Sequence, residues 1–197
     1  MTTTPRWFSE TPDRHSQWYV ERFRTLADEG ADLAGEARLV DALVPPRSRV
    51  LDAGCGTGRV GRALHERGHD VVGVDVDPVL VEEARRLAPG LRWSVDDLAG
   101  LDLGEQFDAV VCAGNVMVFL APGTERQVVA RLAAHVAPHG VLVLGFRLDR
   151  HYGLADLDAH LAAVGLVVEQ RFATWDLRPL RADADYAVTL ARRPAAP

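Results

Sequence analysis

The chain has 197 residues, 48% of them apolar and 25% charged, with a formal net charge of −6, which fits one globular domain with a modest extension. All 22 basic side chains are Arg, so a lysine Schiff base, a lysine general base and a P-loop lysine are excluded, and an acidic chain with no Arg run longer than two speaks against a nucleic-acid or anionic-membrane partner. Cys55 and Cys112 are too few for a zinc ribbon or a disulfide framework, and with neither a signal-like apolar segment nor a membrane-length one the expectation is a cytoplasmic protein.

Residues 1–10 read as a loose arm. Thr11-Pro12 looks like a helix start, and Trp18, Tyr19, Arg22, Phe23 and Leu26 at 3–4 spacing predict a helix to about Glu29. A second helix is expected from Asp32 to Val44, stopped by Pro45-Pro46. Strand–helix alternation then begins. Arg49–Ala53 is a strand, Val60–Arg67 a helix, Asp70–Asp75 a strand, and Asp77-Pro78 opens a helix that ends at Pro89. Strands follow at Leu91–Val95 and Phe107–Ala113. Thr124 and Gln127 suggest a capping box for a helix to about Val136. Strand Gly140–Phe146, helix Leu154–Val164 and strands Leu166–Trp175 and Ala184–Arg192 complete the chain. Nearly continuous Val/Leu strands separated by helices predict a doubly wound, mostly parallel seven-stranded α/β sheet, covered on both faces. The last two strands, with no helix between them, predict an antiparallel C-terminal hairpin. Residues 1–37 are expected to form an N-terminal helical extension or lid, 38–193 a cofactor-binding domain and 194–197 a tail.

In such sheets ligands sit at the carboxyl ends of the strands, near the switch point. The first strand ends in Asp52-Ala-Gly-Cys-Gly-Thr-Gly58, a glycine-rich turn that lets backbone approach a ligand closely. Asp75 ends the second strand, where an acid is placed to hold ribose hydroxyls. A dinucleotide-binding turn has its third glycine at the position that Arg59 occupies here, and a pyrophosphate would be repelled by Asp52. The turn therefore suits a nucleoside carrying an amino-acid tail better than a nucleotide.

With these features the sequence resembles class I S-adenosylmethionine-dependent methyltransferases. The resemblance spans roughly residues 36–193 and is carried by Val50–Gly58, Val72-Gly-Val-Asp75 with Asp77-Pro78, Asp96-Asp97-Leu98, Phe107–Val111 and Leu132–Phe146. It implies the Rossmann-like methyltransferase fold and S-adenosyl-L-methionine as cofactor. By position it implies Ala53, Gly54 and Gly56 along the methionine part, Asp52 near the amino group and Asp75 on the ribose. Val76 would lie against adenine, Asp97 or Asp96 at the adenine amino group with Leu98 beside it, and Ala113, Gly114 and Asn115 beside the sulfonium. Arg38 is a candidate partner for the methionine carboxylate.

In-line transfer from a sulfonium needs proximity and alignment more than a dedicated catalytic group. No catalytic residue stands out; His15, Tyr19 and His151 are the candidates for a base. The residues after the fourth strand lack the patterns of relatives that methylate bases or amides. No Asp-Asn pair follows the fifth strand, so no metal is expected. The acceptor is expected to be a small molecule that the sequence leaves unidentified, as it does the oligomeric state. Two alternatives remain at this point: a nicotinamide-dependent oxidoreductase and a non-catalytic S-adenosylmethionine-binding module.

Overall fold

The computed structural model describes residues 4–194. Five strands, β1 (Arg49–Ala53), β2 (Asp70–Asp75), β3 (Arg92–Val95), β4 (Phe107–Cys112) and β5 (Val136–Arg147), pair in parallel. β6 (Val167–Phe172) and β7 (Tyr186–Arg192) form the antiparallel hairpin, with β7 inserted between β5 and β6. The sheet order is β3-β2-β1-β4-β5-β7-β6, which places the switch point between β1 and β4.

Alternate residues of the strands feed two cores. Leu51, Val72, Val110, Leu142 and Leu144 face α7 (Glu125–Ala134) and α8 (Leu154–Ala163). Val50, Val71, Val111 and Val143 face α3 (Gly35–Leu43) and α4 (Arg59–His65). Helices on both faces explain why the strands read as continuous Val/Leu runs rather than alternating ones.

Local chemistry shifts several expected boundaries. The segment read as a loose arm contains a turn of helix, α1 (Arg6–Ser9), tied by Arg6 to the carbonyl of Leu120 at 3.1 Å. The next helix, α2 (His15–Asp28), starts later than Thr11-Pro12 suggests, because the Thr11 hydroxyl bonds back to the Trp7 carbonyl and Arg14 adopts a left-handed conformation. The capping box at α7 does not form: the Thr124 hydroxyl turns to the Ala121 carbonyl and Gln127 reaches the Ala99 carbonyl. A short helix that the sequence analysis missed, α6 (Val116–Phe119), follows β4. α5 (Pro78–Leu87) starts where expected, capped by Asp77, whose side chain accepts from the Val79 amide at 2.8 Å.

At the β2–β3 end, the Trp93 ring packs against Gly73, its partner on the neighbouring strand. A Cβ at Gly73 would fall 2.1 Å from its ring, so glycine there is a packing requirement. Gly73→Ala is expected to lower stability in urea denaturation by about 1–3 kcal/mol. Gly90→Ala, whose added methyl meets nothing within 4 Å, should stay within about 0.5 kcal/mol of the parent. Equal midpoints for the two variants would contradict the packing.

Candidate active site

The turn after β1 is fastened to the neighbouring strand: the amides of Gly54 and Cys55 both donate to the Val74 carbonyl, at 2.7 and 2.9 Å. Gly54 has φ 79°, and a Cβ there would lie 2.2 Å from the Val116 side chain. A non-glycine residue would therefore be strained and would collide with α6. The turn runs into α4, whose N-cap Gly58 has no side chain to offer. The free amide of Gly61 in the first turn is taken by Asp52 at 2.8 Å. Asp52 thus caps α4 from the strand beside it.

Asp75, 8% exposed, holds the other side. One of its oxygens accepts from the Gly56 amide at 2.8 Å and the other from the Asp77 amide at 2.9 Å. Burial pushes its carboxyl up to about 6, against the pull of these two amides. Burial pushes Asp52 further, up to about 7. It also raises the thiol of Cys55, so this cysteine is a filler of the turn rather than a nucleophile.

Between the turn, Asp75 and α6 lies a cleft. It brings together Gly54, Gly56, Asp75, Val76, Asp97, Leu98, Ala113, Gly114 and Tyr19. Gly114 leaves open space, with nothing within 4 Å of where a Cβ would be. Asp97 borders the cleft while one of its oxygens accepts from the Ala99 amide at 2.9 Å. The cleft is also bordered by Pro5, Trp7, Leu80, Val116, Phe119, Leu120 and Ala121. None of these seven is among the expected site residues; Trp7, Val116 and Phe119 lie on single turns of helix that give no periodicity to detect.

Other expected residues are placed elsewhere. Arg38 is exposed and forks onto Asp32 at 2.5 and 2.8 Å, so it does not border the cleft. Asp52 faces α4, and Ala53 is fully buried in the core. Asp96 is exposed and accepts from the Asp97 amide. Asn115 turns its side-chain oxygen to the Arg147 amide at 3.0 Å. His15 stacks on Trp18 outside the cleft wall, and His151 is exposed. Tyr19 lies against the turn, 3.6 Å from the place of a Cβ on Gly56, and burial pushes its hydroxyl up to about 12. It is therefore a hydrogen-bond donor at neutral pH and not a base.

The donor set fits S-adenosylmethionine. Among the described residues, the lining carries two carboxylates, Asp75 and Asp97, and neither Arg nor His. Such a wall accepts hydroxyl and amino donors and tolerates a sulfonium charge, whereas a pyrophosphate would find no cationic partner.

A sheet of this order with an acid-bordered nucleoside cleft at its switch point defines the Rossmann-like methyltransferase class. A family model described as "Methyltransferase domain" matches residues 50–140. A TehB-like SAM-dependent methyltransferase from Corynebacterium glutamicum is 39% identical, with a TM-score of 0.87 over 92% of this chain and 100% of that one. The magnesium-protoporphyrin O-methyltransferase of Rhodobacter capsulatus is 41% identical over 115 residues, 54% of this chain and 50% of that protein. The dTDP-4-amino-2,3,4,6-tetradeoxy-D-glucose N,N-dimethyltransferase of Saccharopolyspora spinosa is 29% identical over 143 residues, 70% of this chain and 57% of that protein. The chain belongs to the class I S-adenosylmethionine-dependent methyltransferases, and S-adenosylmethionine is its cofactor. The chain spans about half the length of the curated relatives it matches. Among the described residues no helix is long and apolar enough to cross a membrane.

Burial of Asp52 gives stability a definite pH dependence. Its folded pKa of about 7 lies above the ordinary carboxyl value, so the folded state holds the proton between about pH 4 and pH 7 and the unfolded state does not. Stability is greatest at the acid end of that window and falls as pH rises through it. Asp52→Asn, which keeps an oxygen for the Gly61 amide, should remove Asp52's share. At pH 8 the variant is expected to exceed the parent by on the order of 3 kcal/mol relative to their difference at pH 4. Superimposable pH profiles from chemical denaturation would show that Asp52 is not held protonated.

Proposed function

We propose that the protein catalyses methyl transfer from S-adenosylmethionine to a small-molecule acceptor by direct in-line displacement. The observation that carries this reading is the cleft beside Asp75, with two carboxylates, no cationic side chain and open space at Gly114. The cofactor supplies a methyl already activated on a sulfonium. The chain's residues hold it and align the acceptor. In this reading Asp75 accepts from the ribose hydroxyls, Val76 and Leu98 flank the adenine, and Asp97 accepts from its amino group. Gly54 and Gly56 border the amino-acid tail, and Ala113 and Gly114 border the sulfonium. Tyr19 donates its hydroxyl into the tail end of the cleft.

The acceptor approaches from the side of Pro5, Trp7 and Phe119, a mostly apolar wall that excludes water from the transfer. Residues 5–29 act as a clasp over the site. Relatives named for a porphyrin, an amino sugar and glycine as acceptors support a small molecule as the substrate class. The family match removes the nicotinamide reading.

Calorimetry with S-adenosylhomocysteine should show binding, and a titration with NADH should show none. Asp75→Asn, which keeps one acceptor for the turn, should weaken S-adenosylhomocysteine by about 1–3 kcal/mol. Binding to the parent should also weaken below about pH 6, as Asp75 takes up a proton. Unchanged affinity in the variant would displace Asp75 from the ribose.

A further inference from the structure

We infer that Asp77 is a positioning residue: its carboxylate fastens the N-terminal helices over the cleft and couples that clasp to the loop that seats the cofactor's ribose. The inference rests on the methyltransferase reading given above.

The Asp77 side chain has two separate tasks. It is 1% exposed. One oxygen accepts from the Val79 amide at 2.8 Å and caps α5. A cap needs nothing more, and Ser or Asn would serve equally well. The second oxygen accepts from two donors distant in sequence: Trp7 Nε1 at 2.6 Å, from a residue 70 positions away, and the Ser16 hydroxyl at 2.5 Å, from one 61 positions away. Hydrogen bonds to a buried carboxylate are among the stronger ones a protein makes. Both donors belong to the N-terminal segment, one on α1 and one on α2.

What hangs from this oxygen is the wall of the cleft. The Trp7 ring packs edge-on against Tyr19 and Phe119, with centroids 5.6 and 5.5 Å apart, and all three border the cleft. Trp7 is thus the ring that joins Tyr19 of α2 to Phe119 of α6. The same Asp77 donates its backbone amide to Asp75 at 2.9 Å. One residue thus orients the proposed ribose carboxylate through its main chain and holds the clasp through its side chain. Arg6 also ties α1 to the Leu120 carbonyl and to Glu125, each at 3.1 Å, an anchor that involves neither Asp77 nor α2. Arg24 pairs with Glu83 at 2.7 Å, but the Arg24 side chain is 51% exposed, where solvent screens the attraction.

Two substitutions separate the clasp from the cap. Asp77→Asn leaves an oxygen for the Val79 amide and turns an N–H toward Trp7 Nε1. Trp7→Phe keeps an aromatic ring but removes the donor together with part of the indole surface, leaving Asp77 intact. The readouts are the S-adenosylhomocysteine dissociation constant by calorimetry and tryptic cleavage after Arg14, an exposed residue with φ 64° between α1 and α2.

Each variant is expected to bind S-adenosylhomocysteine about tenfold more weakly, the equivalent of one buried hydrogen bond. S-adenosylhomocysteine should slow cleavage after Arg14 in the parent and leave it unchanged in Asp77→Asn. In a Trp7→Phe/Ser16→Ala background, where both donors are gone, Asp77→Asn should add less than about twofold. The inference is overturned if Asp77→Asn binds as the parent does. It is overturned equally if Asp77→Asn costs as much in that background as alone, since the cap would then account for the whole effect. A parent protein that does not bind S-adenosylhomocysteine at all would remove the methyltransferase reading itself, and this inference with it.

Discussion

Two loops of the site are held in register by one buried carboxylate. The Gly56 amide and the Asp77 amide lie where the chain leaves β1 and β2, and Asp75 accepts from both, one with each oxygen. Buried amides without acceptors are costly, and a carboxylate can satisfy two of them while keeping lone pairs for a ligand. The arrangement carries a visible strain of another kind. Removing the carboxylate from water raises its pKa to about 6 even with two amides pulling the other way, so the group is ionised at neutral pH by a modest margin. Hydroxyl donors from a ribose would add to the hydrogen bonds favouring the charged form, which gives the ligand part of its affinity.

The rest of the architecture serves this juxtaposition. Parallel pairing of β1 with β2, Ala53 opposite Val74, brings the end of one strand beside the end of the other. The amides of Gly54 and Cys55 then lock the turn onto the Val74 carbonyl. Val116 presses onto Gly54 from the far side, so the turn is confined between β2 and α6, and at Gly54 there is no room for a side chain. Asp52 completes the assembly by capping α4 through Gly61. The acid just before the glycines therefore works on the helix, while the acid on the next strand faces the cleft.

This division explains which parts of the site were legible in the sequence. The strand–helix alternation, the glycine turn and Asp75 are local patterns with fixed spacing, and the fold followed them closely: β1 and β2 run over the residues expected of them. The direction in which a side chain turns is not local. Asp52, Arg38 and Asn115 stand at plausible sequence positions, yet each finds a partner nearby, Gly61, Asp32 and Arg147 respectively, that draws it off the cleft. Short segments were the other blind spot. α1 and α6 are four residues each, too short for a 3.6-residue period, and tertiary contacts rather than propensity hold them helical.

The aromatic cover and the acidic floor together constrain the chemistry. Trp7, Tyr19 and Phe119 form a contiguous set of edge-on rings along the cleft. The floor contributes the carboxylates of Asp75 and Asp97. A sulfonium is attracted to these carboxylates, and its positive charge leaves the sulfur on transfer, so this field alone holds the reactant form more tightly than the product. In the proposed transfer, rate enhancement would then come from alignment rather than from stabilising developing charge. That places the demand on the rigidity of the wall beside the methyl group. It is consistent with a site whose lining, among the described residues, offers no histidine, and whose tyrosine keeps its proton at neutral pH.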